Sequence, residues 1–308
     1  MTFPSTYRAY QYEKYGPIET ELKLKAGLPQ RTLSAQQVRI KVRSAAVNPI
    51  DYKLAEFMGQ MFFGKAPSVD EPFNVGFDVS GEVVEVGSDV KRVKIGAAVY
   101  ASTPLNDMGT LAEYLVVDEG FAALKPSNLN FNQAAALPTA ALTAYAGMTT
   151  HAELKKDDAV LILGGSTAVG MFAIQFAHNI GARVITTTST RNVELVKSMG
   201  ADQVIDYTKD KWTDVLARHL VDVLYDCGVE PSSWNDGAQL VLKKKVHYLA
   251  ANAGAREGIR IRRAAHRISQ RCRQFGESAG GDYETALDAY KKLKTNHAQG
   301  ELVVQVHV

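Results

Sequence analysis

The chain has 308 residues and a mass of 33.6 kDa, with 35 Lys and Arg against 33 Asp and Glu, a formal net charge of +2. A composition of 46% hydrophobic and 22% charged residues excludes a disordered, collagen-like or fibrous chain, and the length suits one large or two medium domains. Two cysteines, Cys227 and Cys272, exclude a disulfide framework, and no CxxC pair or Cys/His cluster is spaced for structural zinc.

The first residues, MTFPSTYRAYQYEKYG, alternate polar and aromatic side chains without an apolar h-region. The most apolar stretch, 134–148, is short and interrupted by Pro138, so neither a signal peptide nor a membrane span is read and a cytoplasmic location is expected. Up to about residue 125 the segments are short, β-branched and alternating: 38–48, 81–87, 97–102 and 111–117. Gly, Pro and Asp-rich turns separate them, the pattern of a compact antiparallel β-domain.

Residues 132–154 read as helical. AVLILGG at 159–165 is then a short, fully apolar run of the kind a buried parallel strand shows. A helix ending near Gly181 follows, and strands RVITTTS, QVIDY, VDVLYDCG and KVHYLAA alternate with helices NVELVKSMGA and WTDVLARHL. This alternation predicts a doubly wound parallel sheet. After Gly254 the periodicity stops. Residues 256–273 hold seven Arg and one Glu, a local charge of +6 in a chain otherwise net negative. Three readings compete for this segment: a solvated excursion, a nucleic-acid patch, or an aberrant reading of the coding sequence. Few aromatic side chains accompany the arginines, so nucleic acid is not the expected partner. A helix at 284–293 and a strand at 301–308 close the pattern.

The motif with most chemical content is GGSTAVG, Gly164 to Gly170, which directly follows an apolar strand and opens an amphipathic helix. Small residues there let the backbone approach a pyrophosphate, whose charge is met by the free N–H groups and dipole of the helix N-terminus. Read strictly as GxGxxG it fails, because Thr167 and Ala168 stand where glycines are wanted. A ligand-free strand-to-helix turn is the competing reading. Near the end of the second strand, where a cofactor lacking a 2′-phosphate would want Asp or Glu, the chain has Thr188-Ser189-Thr190-Arg191. Hydroxyls with a guanidinium suit a 2′-phosphate and favour NADPH over NADH.

The order of β-domain, LPTAALTAY, VLILGGSTAVG and STRNVELVKSMGADQVIDY resembles the medium-chain dehydrogenase/reductase superfamily, and within it the zinc-independent quinone oxidoreductase branch. The resemblance implies an α/β fold: a Rossmann doubly wound parallel sheet plus a GroES-like antiparallel β-domain. The GroES-like domain would comprise 1–125 and 270–308, and the Rossmann NADPH-binding domain 126–269. It implies NADPH-dependent reduction of quinones or α,β-unsaturated carbonyls by hydride transfer, with a small flat apolar electrophile as partner and a homo-oligomeric (dimeric) assembly. An enoyl-thioester reductase, or a nucleotide-sensing or RNA-binding protein with little turnover, are the alternatives. Zinc-dependent members carry a Cys in the segment matching VNPIDYK and a His-Glu pair in the one matching GFDVSGEVVEVG. Those places hold Asn48-Pro49-Ile50-Asp51 and Gly76-Phe77-Asp78, so no metal is implied.

Carried over by position, Asn48 and Thr143 match residues beside the nicotinamide. Gly164, Gly165, Ser166, Thr167, Ala168, Val169 and Gly170 match the pyrophosphate turn, and Ser189 and Arg191, with Tyr207, the adenosine 2′-phosphate end. Cys227 and Gly228 fall in the loop that passes the ribose, and Ala251 and Asn252 follow the strand bordering the nicotinamide. Tyr52 is the side chain to test as proton donor or substrate orienter, against the reading of a packing aromatic. Asp51 reads as a turn residue or an orienting carboxylate. The Met and Phe-rich stretch 57–67 either lines the substrate mouth or packs as core.

Overall fold

The computed structural model describes residues 3–229, 236–250, 279–295, 298 and 301–306. The chain forms two compact units. The first takes residues up to Thr139 and returns for the C-terminal residues, and the second begins at Ala140.

In the first unit, β1 (Thr6–Tyr12), β2 (Lys23–Pro29) and β4 (Phe73–Asn74) make an antiparallel three-stranded sheet ordered β2-β1-β4. The larger sheet is built on β3 (Gln37–Val47). Its eleven residues pair antiparallel with β5 (Asp78–Val86), β7 (Tyr114–Asp118) and the C-terminal β15 (Leu302–Gln305). β6 (Ala98–Ser102) and β8 (Ala122–Leu124) extend it on one side, and β14 (Ala279–Asp282) runs parallel to β15 on the other. Val38, Ile40 and Val42 alternate along β3 with no exposure and join a core that includes Tyr12, Ile18, Val79, Leu111, Tyr283 and Tyr290. β1 and β2 lie outside the strands expected from the sequence. Tyr10 and Tyr12 face this core while Lys23 and Gly27 of β2 are exposed, so the hairpin carries only half of the alternating signal.

The helix Phe131–Ala135 begins at Asn130, whose side chain accepts from the Gln133 N–H while Gln133 returns a bond to the Asn130 N–H. Ala135 and Ala136 pack on Ala46 and Val303. This helix therefore belongs to the sheet beneath it, and the units divide after Thr139, later than the change of sequence texture at residue 125.

In the second unit, β9 (Ala159–Leu163), β10 (Arg183–Thr188), β11 (Gln203–Asp206), β12 (Val221–Asp226) and β13 (Leu242–Ala250) form a parallel sheet ordered β11-β10-β9-β12-β13. That is the 3-2-1-4-5 half of a doubly wound fold, with the strand order reversing between β9 and β12. Every residue of β9 is buried, as its unbroken apolar run requires. The helix Ala168–Ile180 ends on Gly181 in the left-handed region, φ +88°. The expected helix 212–220 stops at Val215, where Leu216 turns extended. The Lys243-Lys244-Lys245 run enters β13 at an irregularity of its register with β12, and Lys243 pairs with Asp222 at 2.6 Å. The arginine-rich segment 256–273 lies outside the described residues.

Ala46, Ala135 and Ala136 leave no room between helix and sheet. Ala46→Leu is expected to lower the stability of the first unit by about 1–3 kcal/mol through overpacking, read as a lower urea midpoint.

Candidate functional site

The GGSTAVG turn joins β9 to the helix Ala168–Ile180 at the point where the strand order reverses. Gly164 sits at φ +83°, a conformation that L side chains avoid. A Cβ on Gly170 would lie 2.2 Å from the Gly164 carbonyl oxygen, and one on Gly165 would lie 2.2 Å from Thr186 Oγ1. The turn thus closes on itself and on β10 in a way only these glycines permit. Thr167 stands where a further glycine was expected and caps the helix instead. Its side chain donates to the Gly164 carbonyl at 2.8 Å and accepts from the Gly170 N–H at 3.0 Å, capping the helix. The first helical N–H groups, Ala168 and Val169, have no intrahelical partner by geometry and lie half-buried at the rim. Two neighbouring β10 hydroxyls fix the turn: Thr187 Oγ1 accepts from the Gly164 N–H at 3.0 Å, and the Thr188 hydroxyl donates to Ser166 Oγ at 2.9 Å.

At the end of β10, Ser189 is half-buried and Arg191 exposed in a short 3-10 turn. Tyr207, 60% exposed, follows β11, and its N–H donates to the Thr188 carbonyl at 3.1 Å. The structure brings Ser189 and Tyr207 to adjacent strand ends. Asp206 stands between them and was not singled out from the sequence. Hydroxyls of Thr190 and Thr208 donate to its carboxylate, and Lys209 pairs with it at 3.2 Å. The hydroxyl bonds hold its proton affinity well below the usual carboxylate range. At the end of β12, Asp226 Oδ1 accepts from the N–H groups of Gly228 (2.9 Å) and Val229 (3.0 Å), setting the loop that carries Cys227. Burial pushes the Cys227 thiol up, away from reactivity. Thr143 is half-buried in the helix Pro138–Tyr145, and its carbonyl accepts from the Tyr225 hydroxyl at 3.3 Å. Ala251 and Asn252 lie outside the described residues.

The second constellation lies in the first unit. Asn48 leaves β3 and opens the helix Pro49–Lys53. Its N–H donates to Asp51 Oδ2 at 2.7 Å and its Nδ2 to Asp78 Oδ2 at 3.1 Å, and it is 3% exposed. Asp78, the first residue of β5, also accepts from the Thr139 N–H and, at 2.8 Å, from the Thr139 hydroxyl. The Tyr290 hydroxyl donates to Asp51 Oδ2 at 3.1 Å. Burial pushes Asp51 up to about 7 and Asp78 up to about 6, and raises Glu301 well above the carboxylate range with the charges of Asp78 and Asp51 adding. Asp51 is therefore a structural carboxylate rather than a surface turn residue. Asp78, Glu301, Thr139 and Tyr290 escaped the sequence reading, since β5 carries Glu82 and Glu85 as well as Asp78 and no local pattern marks the buried acid.

Tyr52 is half-buried against the core of the first unit, with the Lys294 ammonium 5.7 Å above its ring. Burial raises its phenol. In the stretch 57–67, Phe57 and Met61 are 65% and 74% exposed while Phe63 packs edge-on against Phe73 at 5.0 Å. Most of this stretch is therefore surface rather than core. Among the described residues no group of three or more His, Cys, Asp and Glu is arranged to hold a metal.

The alcohol dehydrogenase GroES-like domain model matches residues 34–127, and the zinc-binding dehydrogenase model matches 168–292. The chain is 34% identical to the chloroplastic NADPH-dependent alkenal/one oxidoreductase of Arabidopsis thaliana, over 98% of this chain and 80% of that protein. It is 41% identical to the 2-methylene-furan-3-one reductase of Solanum lycopersicum over 73% of this chain, spanning 58% of that relative's length. Among solved structures, the quinone oxidoreductase from Coxiella burnetii superposes with a TM-score of 0.79 at 29% identity, over 98% of this chain and 100% of that one.

Gly170→Ala is expected to destabilise the second unit by about 1–3 kcal/mol or more, since the added methyl meets backbone that cannot move; chemical denaturation measures it. For pH, unfolded carboxyls titrate near 4, whereas Asp51 and Asp78 titrate near 7 and 6. The folded chain then holds protons that the unfolded chain has released, so their contribution to stability is present at low pH and fades as pH rises through that window. Asp51→Asn should flatten this part of the profile, seen as a smaller change in Tm between about pH 5 and about pH 8.

Proposed function

The chain belongs to the medium-chain dehydrogenase/reductase superfamily, in its zinc-independent quinone oxidoreductase branch, and on that premise we propose that it reduces quinones or α,β-unsaturated carbonyls with NADPH. The observation that carries the reading is the strand-to-helix turn at Gly164–Gly170, with its positive-φ glycine and capped helix at the switch point of the parallel sheet. Its close packing and its unpaired helix N–H groups fit a pyrophosphate. Ser189 and Arg191 would meet a 2′-phosphate, with Tyr207 covering the adenosine, and Asn48, Thr143, Cys227, Gly228, Ala251 and Asn252 are assigned to the nicotinamide and its ribose.

When bound, the cofactor supplies the hydride. The protein's part is to orient and to exclude water. The two carboxylates that take both donors of Asn48 fix its backbone and its amide together, so that this side chain needs little reorganisation to act. An unsaturated carbonyl leaves an enolate that needs a proton, for which Tyr52 or water is assigned; a quinone's product anion is already delocalised. The exposed Phe57, Met61 and Phe62 favour a flat apolar acceptor. Homo-oligomeric assembly and a cytoplasmic location complete the proposal; among the described residues no helix is long and apolar enough to cross a membrane.

Arg191→Ala is expected to weaken NADPH by about 1–3 kcal/mol, the value of a charge-assisted hydrogen bond, and to leave NADH nearly unchanged. Titration of cofactor fluorescence measures both. Equal affinity of the unaltered chain for the two cofactors would overturn the NADPH assignment, and consumption of NADPH by an enoyl thioester but neither a quinone nor an alkenal would turn the reading to the thioester class.

A further inference from the structure

The register of β10 with β11 brings two short turns out of the sheet at the same end. Thr188 pairs with Asp206, so Ser189-Thr190-Arg191 and Tyr207-Thr208-Lys209 leave it side by side, all within the second unit. Asp206 fastens the two turns together. Its Oδ1 accepts from the Thr208 N–H at 3.1 Å and from the Thr208 hydroxyl at 2.7 Å, and its Oδ2 accepts from the Thr190 hydroxyl. The Lys209 N–H donates to the Asp206 carbonyl at 2.9 Å, a tight turn that returns the lysine's ammonium to 3.2 Å from the same Oδ2.

The aspartate side chain is 11% exposed and the lysine that meets it 63%, and an ion pair so open to water adds little to stability. Its place in the fold matters more. Thr190 and Lys209 share one carboxylate oxygen, which sets the ammonium beside the residue that lies between Ser189 and Arg191. A 2′-phosphate held by those two residues would meet one group that attracts it and one that repels it. Hydrogen bonds from Thr190 and Thr208 keep the carboxylate ionised well below neutral pH, so the repelling charge is permanent.

We propose that Asp206 and Lys209 are a charge pair that sets how strongly the site prefers NADPH to NADH: the Lys209 ammonium is a second cation for the 2′-phosphate beside Arg191, and the Asp206 carboxylate presents that ammonium while limiting its pull. The inference rests on the assignment of Ser189 and Arg191 to the 2′-phosphate. Lysine suits the place, being a point charge on a flexible stem that can turn from carboxylate to phosphate without moving the backbone. NADH has a hydroxyl where NADPH has the phosphate, so neither charge acts strongly on it.

Dissociation constants of NADPH and NADH, read by titration of cofactor fluorescence on the full chain, separate the two charges by sign. Lys209→Gln should weaken NADPH by about three- to tenfold, and Asp206→Asn, which keeps an acceptor for Thr190 and Thr208, should tighten it by about two- to fivefold. NADH should change by less than about twofold in both variants, and high salt should shrink both effects. A loosened turn would instead weaken both cofactors in both variants. If K209Q moves NADPH and NADH alike, or moves neither, or if D206N does not raise the preference for NADPH, the pair only fastens the turn and the proposal is wrong. Thermal melting checks folding. Should D206N not fold, Lys209→Glu decides: it should lose more NADPH affinity than K209Q with NADH spared, and equal losses with both cofactors would overturn the proposal. Should the unaltered chain bind the two cofactors equally, the NADPH reading itself falls, an outcome distinct from an unmoved ratio in the variants.

Discussion

Everything in the first unit hangs on the pairing of β15 with the last four residues of β3, Ser44 to Val47. That contact joins residues some 250 positions apart, so its closure entropy must be met by burial, and the residues there are accordingly without exposure: Ala45, Ala46, Val47, Val303 and Val304. The same return brings Tyr290 onto Asp51 and Glu301 toward Asn48. A loop held only by its local helix cap would be free to breathe. Tied to the sheet through Asp78 and to the C-terminal helix through Asp51, the Asn48 turn becomes part of a core.

The second unit solves a different problem with simpler means. A pyrophosphate, the ligand proposed for the second unit, needs backbone donors presented without side chains in the way, and the turn is built of three glycines and one threonine. Gly164 takes the positive φ, Gly165 and Gly170 stand where an added Cβ would come within 2.2 Å of Thr186 Oγ1 and of the Gly164 carbonyl oxygen, and Thr167, where the fingerprint has a glycine, caps the helix with its hydroxyl. The turn is thus held by contacts that the fingerprint's spacing does not capture, which is why context mattered more than spacing.

That contrast explains what could be read from the amino acids alone. The parallel sheet was legible because its strands alternate along the chain with helical patterns, starting from the unbroken buried apolar run at 159–163. The site turn was legible for the same reason. The carboxylate cluster was not, because it is assembled by register between β3, β5 and β15, and nothing local distinguishes a buried acid from a surface one. Asp51, four residues from the end of β3, reads as an ordinary turn former until Tyr290 is placed beside it. The helix Phe131–Ala135 was placed in the wrong layer by texture, since its alanines match a sheet surface that appears only when Ala46 and Val303 meet. The extent of the helix after Trp212 failed because tertiary contacts, with Leu216 buried in the second core, override a helical pattern of hydrophobic residues.

The late arrival of β15 also sets an order of events during synthesis. While Leu302–Gln305 is still unmade, the edge of β3 at Ser44–Val47 offers its unpaired backbone groups and apolar side chains to any passing strand, whereas β9 to β13, contiguous in the chain, can already assemble. A chain still on the ribosome can therefore have the parallel sheet of its second unit assembled while the sheet of its first remains open. In such a chain, loss of β15 turns β3, an interior strand, into an exposed apolar edge, and aggregation is the hazard expected of a late stop codon.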